Sequence, residues 1–324
     1  MDGTRRSLRT ADLLDVEVTA DELRGPGWRS PFHGIHVPAG NAGDPVLQRI
    51  LDAAELVPAD GAFVGWSAGR LLGADELDGR GRSGRQLEPV LIGVPTYDQH
   101  VAPRDGVRFV RSRFTPDDVV EVRGVRVSGD VRTTFDLMRW HGPEDALVLG
   151  DVMARWLDVD PGAVTEYARS QGRLRGVRVV RRMAPLVDPS ARSTGESRLR
   201  YMWVMEAGLP VPQCNPDVVD DRGTVVGMAD LLDVEIGLLG EYDGSIHREL
   251  QAHTFDNTRE ENFEDLGLVV IRATSLDVTR YRAQTVARVH QGRRRALEHT
   301  QRGMRSWGWA PARPWRPQSI PVDW

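Results

Sequence analysis

The stretch TVVGMADLLDVEIGLLGEYDGSIH, residues 224–247, decides the fold. Its apolar runs read as two strands of a hairpin centred near residue 235. Residues two apart in a strand share a face. Val226, Met228, Asp230 and Leu232 therefore line one face of the first strand, and Glu241 and Asp243 share a face on the second. The hairpin sets residue 230 opposite about residue 240, so Asp230 and Glu241 become near neighbours. Like charges across a sheet repel, and a hard cation relieves that cost. Mg²⁺ takes one or two carboxylates, several waters and substrate phosphate oxygens. Such an ion activates water and stabilises the leaving oxygen of a phosphodiester. Glu196, on the helix leading into the sheet, offers a further carboxylate.

Outward from this hairpin the pattern reads α-β-β-β-α-β-α, an α/β arrangement. A helix is expected over about 194–207, stopped by Gly208 and Pro210. Strands follow around 216–220, 224–232 and 238–243, then a helix at about 256–266. LVVIRAT, at 268–274, is a β-branched strand, and the last helix spans about 277–299. Residues 176–193 hold prolines, small residues and arginines and read as a linker. Residues 1–175 read as an N-terminal α+β domain, with strands in PVLIGVP, VRFVRSRF and EVRGVRVSG. Its helices fall over RTTFDLMRW, ALVLGDVMARWL and 160–171. Residues 301–324 are a tail rich in Trp and Pro, whose tryptophans are expected to staple onto the protein's own apolar surface.

Composition narrows the chemistry. The 324 residues carry 42 Lys plus Arg, every one of them Arg. That excludes a Schiff-base lysine, a P-loop lysine and a Ser-Lys dyad. A coding bias toward arginine accounts for it blandly, since a surface charge rarely demands one of the two. The single cysteine, Cys214, excludes an internal disulfide and a Cys-based zinc site. It reads as a packing residue in a protein of the reducing cytoplasm. The N-terminus lacks the apolar core of a signal peptide, and no run approaches the roughly 18 apolar residues of a membrane span. Neither a membrane partner nor a small-molecule cofactor is expected. His33 and His36 lack a third partner for a metal. Net charge is −5, so binding to a polyanion needs a local patch. Two stretches supply one: nine Arg against three acids over 165–200, and ten Arg against Glu298 alone over 278–316.

Several runs in fixed order carry a family resemblance: Glu196-Ser-Arg-Leu-Arg, Gly-Leu-Pro-Val-Pro at 208–212, Gly-Met-Ala-Asp230, Gly-Glu241-Tyr-Asp243-Gly-Ser-Ile-His247, Phe255-Asp256-Asn-Thr-Arg259 and Val-Val-Ile-Arg272-Ala-Thr. Over about 194–298 the chain resembles the DUF559 family, which is similar to very-short-patch-repair endonucleases; the domain itself is expected to span 194–300. The resemblance implies a restriction-endonuclease-like (PD-(D/E)XK) fold: a mixed sheet flanked by helices, with an acidic metal site. By position, Asp230 and Glu241 match the two acidic residues of that pattern and Glu196 matches the acid on the first helix. Asp243 stands where the pattern has lysine, and His247 is the candidate substitute as general base or electrostatic stabiliser. The first half resembles, through Trp28-Arg-Ser-Pro-Phe-His-Gly, Gly65-Trp-Ser-Ala-Gly-Arg and Arg132-Thr-Thr-Phe-Asp, the N-terminal region of actinobacterial AbiEi-antitoxin-like proteins.

The expectation is a metal-dependent endonuclease acting on DNA phosphodiesters. Asp230, Glu241 and Glu196 would hold Mg²⁺ or Mn²⁺, with Asp243 assisting and His247 near the attacking water. Arg198, Arg293, Arg294 and Arg295 are the candidate phosphate contacts. Two alternatives stay open: a non-catalytic DNA-binding regulator of antitoxin type, and a protein-interaction module of a defence system that binds its partner through the N-terminal domain. Bland roles also compete at single residues. Asp243-Gly244 is a common turn pair, Glu196 suits the first turn of a helix, and His247 is an ordinary surface histidine in the plainest reading. Arginine runs are often only solvated.

Overall fold

The computed structural model describes residues 3–16, 18–40, 43–81, 84–96, 104–244 and 261–313. The chain is of mixed α/β class. It divides into two compact units. The first runs through Trp140 and adds Trp156–Arg175; the second takes His141–Arg155 and Gly176–Arg316.

The first unit carries a small antiparallel sheet in the order Leu8–Arg9, Ile35–Pro38, Trp28–Phe32, with short helices at Thr10–Asp15 and Ala20–Arg24. His36 is held inside this sheet, its two ring nitrogens bonded to Thr10 Oγ1 and Ser30 Oγ at 3.0 and 2.9 Å. A five-stranded mixed sheet follows in the order 107–111, 90–94, 62–63, 125–128, 119–122. The Arg132-Thr-Thr-Phe-Asp run opens the helix Asp130–Trp140 beside it. Arg132 is buried, and its guanidinium donates to Asp136, Asp118, Ser112, Tyr167 and the Arg113 carbonyl. A buried charge needs partners of this kind, so Arg132 serves the fold.

In the second unit a four-stranded sheet has the order Val269–Thr274, Leu238–Asp243, Leu231–Asp233, Gln213–Cys214. The first pair is parallel and the other two are antiparallel. A three-stranded antiparallel sheet, Val225–Met228, Asp217–Asp220 and Trp307–Ala310, lies beside it in sequence. One apolar cluster joins Leu231, Leu238, Val269 and Ile271 to the helical residues Leu199, Met202, Trp203, Val289 and Ala296. A second joins Leu232, Leu239 and Val270 to Phe263, Val218 and Trp307. Alternation therefore puts Leu239 and its neighbours two apart, Glu241 and Asp243, on the face away from helix Thr194–Tyr201.

Three expected elements are drawn differently. The strand expected over 224–232 breaks at Ala229 and Asp230. Its first half pairs with Asp217–Asp220 and its second half with Leu238–Asp243, so one hairpin serves two sheets. On the opposite arm the bend falls at Asn215 and Pro216. Pro216 brings no N–H to a ladder, and Asn215 is left-handed at φ 50°. The last helix is two helices, Ser275–Thr279 and Arg282–Gln301. The Leu276 carbonyl closes the first by accepting from both Arg280 N and Tyr281 N. The segment read as a linker, 176–193, carries the helix Val177–Met183 and a turn of 3₁₀ helix at Ala184–Leu186. Val177, Val180, Met183 and Ala184 are buried, which accounts for its order.

Helix 143–157 and this segment are tied to helix Thr194–Tyr201 by a buried ion pair. Arg200 Nη2 donates to Asp151 Oδ1 at 2.6 Å, Arg200 Nη1 donates to the Leu186 carbonyl, and Asp188 N donates to Asp151 at 2.9 Å. Burial alone would lower the Arg200 guanidinium; the Asp151 charge outweighs it and holds it above its usual value. Cys214 is buried alongside, and desolvation pushes its thiol well up, as befits a packing residue. Trp307 packs into the second cluster, while Trp309 is exposed; Trp315 and Trp324 lie outside the described residues.

Candidate acidic site

The hairpin register decides which carboxylates meet. Leu231 pairs with Gly240, so Asp230 comes level with Glu241. The Asp230 carboxylate accepts the Tyr242 N–H at 2.7 Å, which pins it to the strand bearing Glu241 and Asp243. The row extends to both sides. Leu231 pairs with Cys214 and Asp217 with Met228, which sets Asn215 level with Asp230; Asn215 N donates to the Asp230 carbonyl at 2.9 Å. In the parallel pair, Glu241 is level with Arg272. Asn215, Asp230, Glu241 and Arg272 thus form one cross-strand row of four polar residues. Glu241 and Asn215 are buried, while Asp230, Asp243 and Arg272 are half-buried.

Glu196 reaches this row from the helix. Ser193 caps that helix by accepting the Glu196 N–H at 3.1 Å. The Glu196 side chain folds back, its Oε2 accepting the Arg192 N–H at 2.8 Å and the Asn215 Nδ2–H at 2.7 Å. Glu196 therefore acts first as a tether between the helix start and the corner of the hairpin. Helix and strand approach closely here. A Cβ at Gly195 would stand 1.9 Å from the Tyr242 ring, so only glycine fits.

Asp230 and Glu241 suit Mg²⁺ by donor chemistry: hard carboxylate oxygens at neighbouring positions on adjacent strands. Among the described residues no three His, Cys, Asp or Glu side chains stand close enough to hold a metal ion together. Among the described residues the donors that suit the ion are thus Asp230 and Glu241. Glu196 as a third direct ligand has no such support. His247, Asp256 and Arg259 lie outside the described residues.

The candidate phosphate contacts divide. Arg198 is consumed by two ion pairs, to Glu144 at 3.1 Å and Asp145 at 2.9 Å, with its side chain only 16% exposed. Arg294 and Arg295 are exposed on helix Arg282–Gln301, whereas Arg293 is half-buried. Asn215 carries no functional signal in the sequence, and Arg272 enters only within the run Val-Val-Ile-Arg-Ala-Thr. Arg272 was within reach once the parallel pairing of its strand was drawn. Asn215 was not, because its place depends on the hairpin bending between sheets.

No family model, curated protein or solved structure matches this chain.

Proposed function

We propose that the second unit is a restriction-endonuclease-like domain that hydrolyses DNA phosphodiesters with Mg²⁺ or Mn²⁺. The observation that carries this reading is the Asp230–Glu241 juxtaposition, locked by the Tyr242 N–H. Counting each bent strand once (213–220 and 225–233), the order helix, three strands, the helical stretch 261–265 and a last strand paired in parallel supports the fold that the sequence resemblance implies. A bound divalent ion would supply Lewis-acid activation of water and charge relief at the leaving oxygen. Asp230 and Glu241 would hold it, and Asp243 lies on the same face one pleat further on. Arg272, level with Glu241, gives a fixed positive charge near the place where the family pattern has lysine. A guanidinium does not deprotonate at working pH, so its part is electrostatic and the base must come from elsewhere. Exposed Arg294 and Arg295 would meet DNA phosphates. A cytoplasmic location suits a chain with one buried cysteine. No helix among the described residues is long and apolar enough to cross a membrane.

A plasmid-nicking assay with Mg²⁺ and Mn²⁺ tests the reading. Metal-dependent cleavage is expected in the wild type and its loss in Asp230→Ala and Glu241→Gln. Cleavage that survives both substitutions, or none with either metal, overturns it.

A further inference from the structure

Asn215 is 1% exposed, yet its side chain is only half satisfied. Nδ2 donates to the Ser190 carbonyl at 2.8 Å and to Glu196 Oε2 at 2.7 Å. Both partners accept, which fixes the nitrogen on that side of the amide. Oδ1 lies on the other side and, among the described residues, accepts no hydrogen bond. A buried group in that state costs about 1–3 kcal/mol. The backbone adds a second cost, since φ at Asn215 is 50°; asparagine tolerates this left-handed region better than most residues but not freely. Strain and an unsatisfied polar atom thus coincide at one residue, level with Asp230 and bonded to it through the main chain. Such coincidences gather at functional sites.

We propose that Asn215 is a positioning residue of the acidic site: its Oδ1 accepts a hydrogen bond from a water of a hydrated divalent cation carried by Asp230 and Glu241. This rests on the two-carboxylate reading above. Mg²⁺ gives up its waters reluctantly, so a buried acceptor on the residue level with Asp230 would hold the ion through its hydration shell. Glu196 then has a defined part: with Oε2 on the Asn215 amide, it orients Oδ1 rather than touching the ion. It also gives Asn215 a part in a row where, among the described residues, no group of three metal-ligating side chains is found.

The test uses the full-length protein and Mn²⁺ alone, by calorimetric titration and by thermal unfolding with and without the ion. Asn215→Gly keeps the left-handed backbone without strain and is expected to bind Mn²⁺ about 10-fold more weakly, in the range seen when outer partners of a metal site are removed. Asn215→Asp sets a second carboxylate against Glu196. It should lower Tm without metal and gain more Tm on adding Mn²⁺ than the wild type does. Asp230→Ala, which removes a ligand, is the control. If the wild type binds Mn²⁺, Asp230→Ala does not, and Asn215→Gly binds like the wild type, Asn215 has no part in the site while the two-carboxylate reading stands. A Tm loss in Asn215→Asp that Mn²⁺ leaves unrepaired likewise assigns Asn215 to packing alone. If the wild type binds no Mn²⁺, the reading of the site and this proposal fall together.

Discussion

At the residue scale, the buried Asp118 and the half-buried Tyr167 set measurable dependences. Tyr167 donates its hydroxyl to Asp118 at 2.6 Å and also accepts from Arg132. Burial and the bond to Asp118 push the Tyr167 phenol up to about 12. An unfolded tyrosine titrates near ~10, so the stability this raised value brings is fully present below that pH. It is lost as pH rises from ~10 toward the folded value. Chemical denaturation of Tyr167→Phe should show a flatter alkaline limb than the wild type between those limits. Asp118 runs the other way. Burial opposes ionisation, but the Tyr167 hydroxyl, the Thr115 N–H and Arg132 hold its carboxyl below the usual range. Its contribution is present above the unfolded carboxylate value and fades as pH falls through the lowered one. Arg200 makes a third case. Arg200→Met strands Asp151 in the core and should cost about 3–5 kcal/mol, while Arg200→Met with Asp151→Leu should recover most of it. The pairing of Asp230 with Glu241 was legible in the sequence because strand alternation and a hairpin centre suffice to place them. The Asp151–Arg200 pair was not, because its partners come from helices 49 residues apart that no local pattern links.

At the element scale, helix Thr194–Tyr201 and strand Leu238–Asp243 approach through Gly195 and Tyr242. Gly195→Ala forces the ring or the helix to move, although alanine is the better helix former. A loss of about 1–3 kcal/mol is expected from overpacking, measured by urea denaturation, instead of the gain that propensity alone would give. Gly237 has the same standing in the hairpin turn: its φ is 72°, and a Cβ would lie 2.8 Å from the Trp307 ring. Strand Leu238–Asp243 was legible to the residue because it is an unbroken apolar run ending in polar residues. The strand expected over 224–232 was not, since hydrophobic alternation continues through the corner at Ala229 and Asp230. Which sheet each half joins depends on Trp307–Ala310, about 80 residues later in the chain, and on the bend at Asn215 and Pro216.

At the scale of the whole molecule, charge counted along the sequence overstates what is free to meet a partner. Arg198 and Arg282 share Glu144, and Arg282 also pairs with Glu206. A basic stretch therefore contains both spent and exposed arginines, and composition does not separate them. Replacing Arg294 and Arg295 by Gln should weaken DNA binding uniformly across sequences. If both meet phosphates, the slope of log affinity against log salt should shrink by about 0.9 for each. Arg198→Gln should leave the slope unchanged and act on stability. Fluorescence anisotropy at several salt concentrations reads both.

The three-stranded sheet has a consequence for the order in which the chain is made. Strand Asp217–Asp220 is flanked by Val225–Met228 and by Trp307–Ala310. During synthesis, Asn215, Asp230, Glu241 and Arg272 all leave the ribosome before residue 307 does. The row can close while one side of Asp217–Asp220 still offers unpaired N–H and C=O groups, a template for another chain. A protein stopped after Gly303 would keep every residue of the row and lose the strand that seals this edge. It is expected to self-associate on light scattering, while Trp307→Phe in the full-length chain, which keeps the strand, stays monodisperse.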